Sequence, residues 1–555
     1  MKQRRIDLGL VMAILTALVP VLALTVYWAR GEGLFDRFGA QYSAVAAPDL
    51  GPNGAVDVKV DARGGGRPIS PLIYGVAFAD ANVLNRLGAT VNRWGGNTAT
   101  TYNWVNQCWN AARDWEFRNK PADQDPDEFV RQTIAAAATP LITIPTIGWV
   151  ASDCSNSTGS VGVPDHAGSP ISAGSAAIRG YDPGRNRDAV YVPSAASRHA
   201  NADPRTIYQD DWVGHLKERF VGQNGGVRYY AMDNEPDAWG ETHTDIRPVP
   251  MGYDEMVSNF EEYAGSVKDR DPTALILGPD LCCWTTLFNS DLDRGQDNFR
   301  TRLDRIAHGN QDFLPWWLQQ VARRDRDSGR RTLDLLDVHF YPQAEGVVSD
   351  AADPTTQALR IRSVRALYDP HYRDESWIGT SVDFIPRLQQ WIRESYPGTG
   401  LAITEYNFGG QKDASGAVAV AEALGIFGRE GVDLANYWAY PGPDQPAGAA
   451  FRLYRNFDGA GAAFGDRSLP VTVNHDGVQA FAARHSSRKE VDVVLVNESP
   501  TATAAVALQI QGATIQAAEE FRVAPGSAQI KQATLQARSV SLPPLGLSLV
   551  RITLT

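Results

Sequence analysis

The sequence predicts an α/β protein: a (β/α)8 TIM barrel with a smaller C-terminal β-sandwich domain. Three observations carry that reading. Eight short apolar, β-prone segments recur between Leu72 and Trp438, with helix-like or loop-rich stretches between them. Two of these segments run without a linker into a glutamate, as a buried strand does when it empties onto a polar face. From about Leu469 the helix-like runs stop and short alternating strands replace them.

At 555 residues, with 43% hydrophobic and 21% charged residues, the chain is ordinary globular material for one large domain and a smaller one. A net charge of -12 and a pI near 5.3 argue against a nucleic-acid partner, because phosphate binding needs a basic stripe and none stands out. An uncharged or weakly charged substrate fits better. Fourteen tryptophans and nineteen tyrosines supply flat faces suited to sugar rings, although most such rings serve as core.

Lys2, Arg4 and Arg5 precede an apolar run from Leu8 to Trp28, which reaches the roughly 20 residues a membrane-spanning helix needs. Residues 1–30 are therefore read as an uncleaved anchor with its basic end inside. A cleaved signal peptide competes, but its apolar core is usually only ~7–15 residues, and Ala44-Val45-Ala46 lies far downstream. Both readings export the chain, either anchored at the cell surface or secreted. Residues 31–54 form a linker, residues 55–66 a strand that joins the sandwich, residues 67–465 the barrel, and residues 466–555 the sandwich. The protein is expected to be a monomer whose membrane contact is the N-terminal segment.

The eight barrel segments are Leu72 to Phe78, Thr90 to Trp94, Leu141 to Ile147, Arg228 to Met232, Ala274 to Leu277, Leu335 to Phe340, Leu401 to Thr404 and Leu434 to Trp438. Asp127 to Ala138, Tyr253 to Asp269 and Ala417 to Arg429 carry apolar faces at helical spacing between them. Ser152 to Asp203, rich in Gly and Ser, is too long for a plain connection and reads as an elaboration of the active face. Val491 to Val496, Val506 to Ile510 and Leu547 to Leu554 alternate as sandwich strands, and Ala55 to Val60 is expected to join them. Export permits disulfides among Cys108, Cys154, Cys282 and Cys283. A bond between the adjacent Cys282 and Cys283 is disfavoured as strained, whereas Cys108 and Cys154 both follow strand ends and can meet. No Cys-x-x-Cys pair or histidine ladder supports zinc.

On this count Glu235 ends barrel strand four, after Tyr229-Tyr230-Ala231-Met232-Asp233-Asn234, and Glu405 ends strand seven, after Leu401-Ala402-Ile403-Thr404. A TIM barrel keeps its chemistry at the carboxyl ends of its strands. Arg93 and Trp94 stand at the end of strand two, His339 and Tyr341 at strand six, and Trp438 at strand eight. Each alone has a bland explanation as a core ring, a buried histidine or an ion-pair partner. Their joint arrangement points to a paired-carboxylate site.

At these residues the sequence resembles the clan A retaining glycosidases, and within that clan glycoside hydrolase family 44. The segments that carry the resemblance are Arg93-Trp94-Gly95-Gly96-Asn97, Asp233-Asn234-Glu235-Pro236 with Trp239 and His243, Asp337-Val338-His339-Phe340-Tyr341-Pro342, Ile403-Thr404-Glu405-Tyr406-Asn407 and Trp438-Ala439-Tyr440-Pro441. The loop Gly240-Glu241-Thr242-His243-Thr244-Asp245 and the run Cys282-Cys283-Trp284 depart from the family pattern. The resemblance implies endo-acting, retaining cleavage of a β-1,4-linked glucan such as cellulose or xyloglucan. Glu235 would be the general acid/base and Glu405 the nucleophile, with Arg93, Trp94, Asn97, Asn234, Trp239, His243, His339, Tyr341 and Trp438 around the substrate. No cofactor is required; a structural metal ion stays open, and no catalytic metal is assigned. The alternatives are a mannanase or xylanase of the same clan and a non-catalytic glycan-binding protein of the cell envelope. That binding protein would need only aromatic platforms, which the intact glutamate pair exceeds.

Overall fold

A computed structural model describes residues 55–555 apart from 116, 155–189, 199–201, 224 and 536–538. The proposed anchor and linker at residues 1–54 lie outside the described residues, as does most of the Ser152 to Asp203 stretch. Among the described residues no helix is long and apolar enough to cross a membrane.

Eight parallel strands close into a barrel: Gly75–Ala77, Val91–Trp94, Thr139–Ile144, Tyr229–Met232, Leu275–Leu281, Leu335–Phe340, Gly400–Tyr406 and Leu434–Tyr437, numbered one to eight below. Each is followed by a helix before the next strand or the chain's exit from the barrel. The strands read as continuous apolar runs because both of their faces are covered, by helices outside and by side chains inside. The helix Ala81–Leu87 shows how ends are set locally. Asp80 caps it by accepting the Val83 amide, and Gly88 ends it in a left-handed conformation that a side chain resists.

Alternation along the strands sorts the barrel interior into two layers. Val91, Leu141, Ala231, Leu277, Leu335, Ala402 and Leu434, one from each of strands two to eight, form a separate inner cluster. Two residues further along stand Arg93, Thr143, Asp233, Asp337, Thr404 and Asn436, all fully buried and polar. Since side chains repeat a face every second residue, the apolar plug and the polar layer above it follow from one register.

Strand five departs from expectation. Its apolar run ends at Leu277, before Gly278-Pro279, yet the strand continues to Leu281. Proline donates no ladder bond, and the pairing with strand six shifts register between Pro279 and Leu281, which is how a proline is accommodated inside a sheet. Asp280 is thereby carried into the barrel mouth.

Beyond the barrel, two sheets pack face to face. One orders Val471–Val473, Ala55–Asp61, Ala504–Gln511 and Ser539–Leu542, and the other contains Arg467–Leu469, Val478–Arg484, Glu490–Asn497, Leu547–Leu554, Ile515–Val523 and Ile530–Thr534. Ala55–Asp61 pairs in parallel with Ala504–Gln511, and the other sandwich pairings are antiparallel. Val56, Val58, Val60, Val493, Leu495, Val506 and Val550 are among the residues of the dry core between the sheets. The helix Ala414–Glu430, buried along nearly its whole length, lies between barrel and sandwich, with Gly425 tight against the Phe481 ring.

Cys108 and Cys154 are bonded, with Cα atoms 5.1 Å apart. Closing that 46-residue separation stabilises by about 4 kcal/mol in the chain-entropy treatment. The expectation against a bond between neighbours is corrected: Cys282 and Cys283 are also bonded, at the turn where strand five leaves the barrel for the 3-10 turn Trp284–Leu287. A chain that is already turning can bring adjacent side chains to one side, as a straight strand cannot.

Candidate active site

The two glutamates reach the mouth by different local devices. After strand four the backbone turns sharply: Asp233 and Glu235 both have left-handed conformations, with φ of 69° and 47°. Such conformations cost about 1–3 kcal/mol each for non-glycine residues and persist only where neighbours hold them. Here the Asp233 amide donates to the Ile144 carbonyl on strand three and the Glu235 amide to the Asp280 carbonyl on strand five, each at 3.0 Å. Glu405 arrives through a bulge. Strands six and seven pair Asp337 with Ala402 but His339 with Glu405, so strand seven carries one extra residue between them. Thr404 and Glu405 can therefore both face inward, the Thr404 hydroxyl donating to Asp337 at 2.9 Å.

Around Glu405 the contacts are short and charged. Arg93 donates Nη1 to Oε1 at 2.6 Å, and the Tyr341 hydroxyl donates to Oε2 at 2.7 Å. Arg93 also donates Nη2 to Asn234 Oδ1 at 2.8 Å, which occupies the amide oxygen and leaves Asn234 its NH2 as the donor toward a ligand. His339 connects the two glutamates. Its Nδ1 lies 2.8 Å from Glu235 Oε1 and 3.6 Å from Glu405 Oε2, while Nε2 pairs with Asp280 at 2.6 Å. Asp280 lies 3.5 Å from Arg93 as well. One oxygen of each glutamate and a ring nitrogen of His339 all fall within 4.8 Å of one another.

The electrostatics separates these groups. Burial raises the Glu235 carboxyl above its usual range; His339 pulls it down and the Glu405 charge pushes it up, with a net upward shift. Burial disfavours the His339 cation, but Glu405, Asp280 and Glu235 outweigh that and hold the ring protonated well above its ordinary value. Burial also opposes Asp280 as an anion, yet His339 and Arg93 bring it below the normal range. Burial raises Asp337 strongly, and the neighbouring Asp280 charge raises it further. Tyr341 is likewise pushed well up by burial and by Glu405, so it remains a hydroxyl donor.

Trp438 edges an apolar patch of its own with Ala77, Tyr341 and Val348, and Phe78 packs beside it. Its ring lies 5.7 Å from the Arg93 guanidinium and closes on Gly96, where any Cβ would stand 2.5 Å from the indole. Asn97 is half-buried just beyond Gly96, near Asp114, whose carboxyl burial pushes up to about 7.

Three residues expected at the substrate are buried among neighbouring side chains. Trp94 is fully buried, packed with Tyr102, Trp109 and Trp212, its Nε1 donating to the Gln124 carbonyl. It follows inward-facing Arg93, so alternation turns it out toward the helices. Trp239 is buried and donates Nε1 to the Asn234 carbonyl, bracing the strand-four turn from beneath. His243 is fully buried on the 3-10 and helical segment after Glu235, and burial lowers its pKa to about 3, so it is a neutral core ring. In turn, the apolar runs gave no hint of Asp280; its only signal was an aspartate just past Gly-Pro at the end of strand five.

Residues 108–344 match the family model described as glycoside hydrolase family 44. The chain is 32% identical over 460 residues to endoglucanase A of Paenibacillus lautus, which covers 78% of this chain and 62% of that protein's length. The chain thus spans less than two thirds of that curated relative. The crystal structure of CelM2, described as a bifunctional glucanase-xylanase from a metagenome library, superposes with a TM-score of 0.81 at 34% identity, covering 90% of this chain and 99% of its own. A family 44 xyloglucanase from Paenibacillus polymyxa superposes with a TM-score of 0.77 at 26% identity, covering 90% and 100%.

Proposed function

The chain belongs to glycoside hydrolase family 44, and on that premise we propose that it is an endo-acting, retaining glycosidase of β-1,4-linked glucan backbones of the cellulose or xyloglucan type. Glu235 is the general acid/base and Glu405 the nucleophile. The observation that carries this reading is the spacing: carboxyl oxygens of the two residues come within 4.8 Å. A retaining pair stands about 5–5.5 Å apart, whereas an inverting pair needs roughly 6.5–9.5 Å to admit a water behind the sugar.

Glu235 starts protonated because burial and the Glu405 charge both disfavour its anion, and it delivers that proton to the leaving oxygen as the bond breaks. Glu405, oriented by charge-assisted bonds from Arg93 and Tyr341, attacks the anomeric carbon from the opposite face. Once Glu405 is esterified its negative charge is gone, and with it one of the effects holding the proton on Glu235. Glu235 then becomes the base that activates water for the second step. The Asn234 NH2 is the donor for the sugar 2-hydroxyl, a contact that strengthens in the transition state. Trp438 offers an apolar face below the sugar. The sequence of residues 1–30 supports export, with the catalytic face outside the cell.

The test is hydrolysis by the full-length chain across cellulose, xyloglucan, mixed-linkage glucan, glucomannan and xylan, with NMR of the first-formed product. A β-anomer from a β-linked glucan is expected. An α-anomer would overturn the assignment of the nucleophile, fastest turnover on xylan or mannan would move the substrate class, and binding without turnover would favour the glycan-binding alternative.

A further inference from the structure

The Cys282–Cys283 disulfide stands beside the strand-four turn and has no part in the chemistry described above. Its two half-buried residues line a cleft with Trp284, His339, Tyr341 and Gln343. The Cys282 amide donates to Asp237 Oδ1 at 3.1 Å, and the Thr286 hydroxyl donates to Asp237 Oδ2. The Thr286 amide donates to the Cys283 carbonyl at 3.2 Å. Asp237 is two residues past Glu235, in the 3-10 turn Pro236–Ala238 that the left-handed Glu235 opens. The turn is thus pinned at both ends to the strand-five exit: Glu235 through its amide to the Asp280 carbonyl, and Asp237 through its carboxyl to Cys282 and Thr286.

A left-handed glutamate has little intrinsic preference for its conformation, so its placement depends on what surrounds it. Bonding adjacent cysteines closes a small ring that contains the peptide joining them, and the Cys282 amide and the Cys283 carbonyl leave that ring from its two Cα atoms. The sulfurs also lie within 4.8 Å of an Asp237 carboxylate oxygen, but while bonded to each other they have no thiolate to offer a cation. The group is a brace rather than a metal site.

We propose that the Cys282–Cys283 disulfide is a positioning element for Glu235, and that opening it impairs proton delivery to the leaving group, making turnover sensitive to reductant. This rests on the reading of Glu235 as general acid. Reduction by dithiothreitol is balanced as thiol–disulfide exchange. One reductant thiolate attacks a sulfur of the pair, the second closes the reductant into a cyclic disulfide, and two electrons and two protons leave Cys282 and Cys283 as free thiols.

The test uses the full-length chain in two forms: wild type under graded dithiothreitol, with differential alkylation mapping which bond has opened, and a Cys282→Ser/Cys283→Ser variant in which Cys108–Cys154 stays intact. Each is assayed on a cello-oligosaccharide, whose leaving group needs protonation, and on an activated aryl glycoside, which leaves unaided. The expected result in both forms is a kcat on the oligosaccharide lower by roughly 10-fold, a fraction of the 10²–10⁴ that general acid help is worth, with KM and the aryl glycoside rate nearly unchanged. An equal loss on both substrates, or none on either, would overturn the inference, since a merely structural bond would not discriminate leaving groups. Glu235→Gln is run beside them. If it shows the leaving-group split and the opened disulfide does not, the positioning role fails alone; if Glu235→Gln itself shows no split, the assignment of the acid falls and this inference falls with it.

Discussion

The molecule buries two clusters of arginine, histidine and carboxylate, one at the barrel mouth and one in the sandwich, and they are wired differently. In the sandwich, Asp492 is fully buried and Arg551 grips both of its oxygens at 2.9 Å, while His485 adds a third contact at 2.8 Å. Arg551 is satisfied in turn by the Ala463 carbonyl and by the Phe457 ring 4.6 Å away. Asp492 and Arg551 are directly opposite across neighbouring antiparallel strands, so the pair is local to the sheet. At the mouth the partners come from strands two, four, five, six and seven. Glu235 has His339 on one oxygen, and its side chain keeps 14% of its surface open. Parts of the same kind give a closed arrangement where both Asp492 oxygens are filled and an open one where a carboxyl is left facing space.

The largest expected effect tests the open cluster. Glu405→Gln should lower turnover on every substrate by roughly 10⁴-fold or more, because no covalent intermediate can form, and since its amide oxygen still accepts from Arg93 the unfolding midpoint should change little. Residual turnover above a hundredth of wild type would remove Glu405 as nucleophile. Next come two changes of similar energy read in different assays. Glu235→Gln should cost about 10²–10⁴ in kcat on an oligosaccharide and little on an activated aryl glycoside, again without loss of stability. Asp492→Ala should do the reverse. Stranding Arg551 and His485 should lower the unfolding free energy in urea by about 3–5 kcal/mol while kcat of the folded enzyme holds. If Asp492→Ala instead lowers kcat at unchanged stability, the contrast between the clusters is wrong.

The smallest expected effect is on pH. The Glu235 carboxyl is raised in the folded protein, first by burial, and as the proposed general acid Glu235 acts in its protonated form. Activity should therefore hold on the acid side and fall as pH rises through that raised value. His339 opposes the upward shift, so His339→Asn should move the alkaline limb of kcat/KM further up. A limb that moves down would mean that His339 supports the proton on Glu235 instead of opposing it.

Some of the site was legible in the chain and some was not, for identifiable reasons. Glu235 and Glu405 stood out because each follows a buried apolar run with nothing between, and Arg93, His339 and Tyr341 because they close similar runs. For Trp94 the pattern itself gives the direction: the residue after an inward arginine must face outward in a strand. Trp239 and His243 follow a turn whose direction depends on bonds to Ile144 and Asp280, more than 40 positions away along the chain at the least, so local pattern could not orient them. Asp280 is not legible in the chain because Gly-Pro reads as the end of a strand, whereas a register shift lets strand five continue.

The sequence by itself determined the architecture, because burial on both faces demands apolar runs of strand length, and eight such runs separated by helices admit few closed arrangements. It also determined which residues could be reactive, since a charged group is rarely placed at the end of a buried run without a partner. Tertiary structure decided the rest. The bulge that turns Glu405 inward beside Thr404, the Asp280–His339 pair that links the two glutamates, and the Cys282–Cys283 brace against Asp237 depend on strand register and on contacts between distant segments. A one-residue shift in register exchanges the two faces of a strand. No local pattern of side chains records that shift, because it is fixed only when the neighbouring strand is in place.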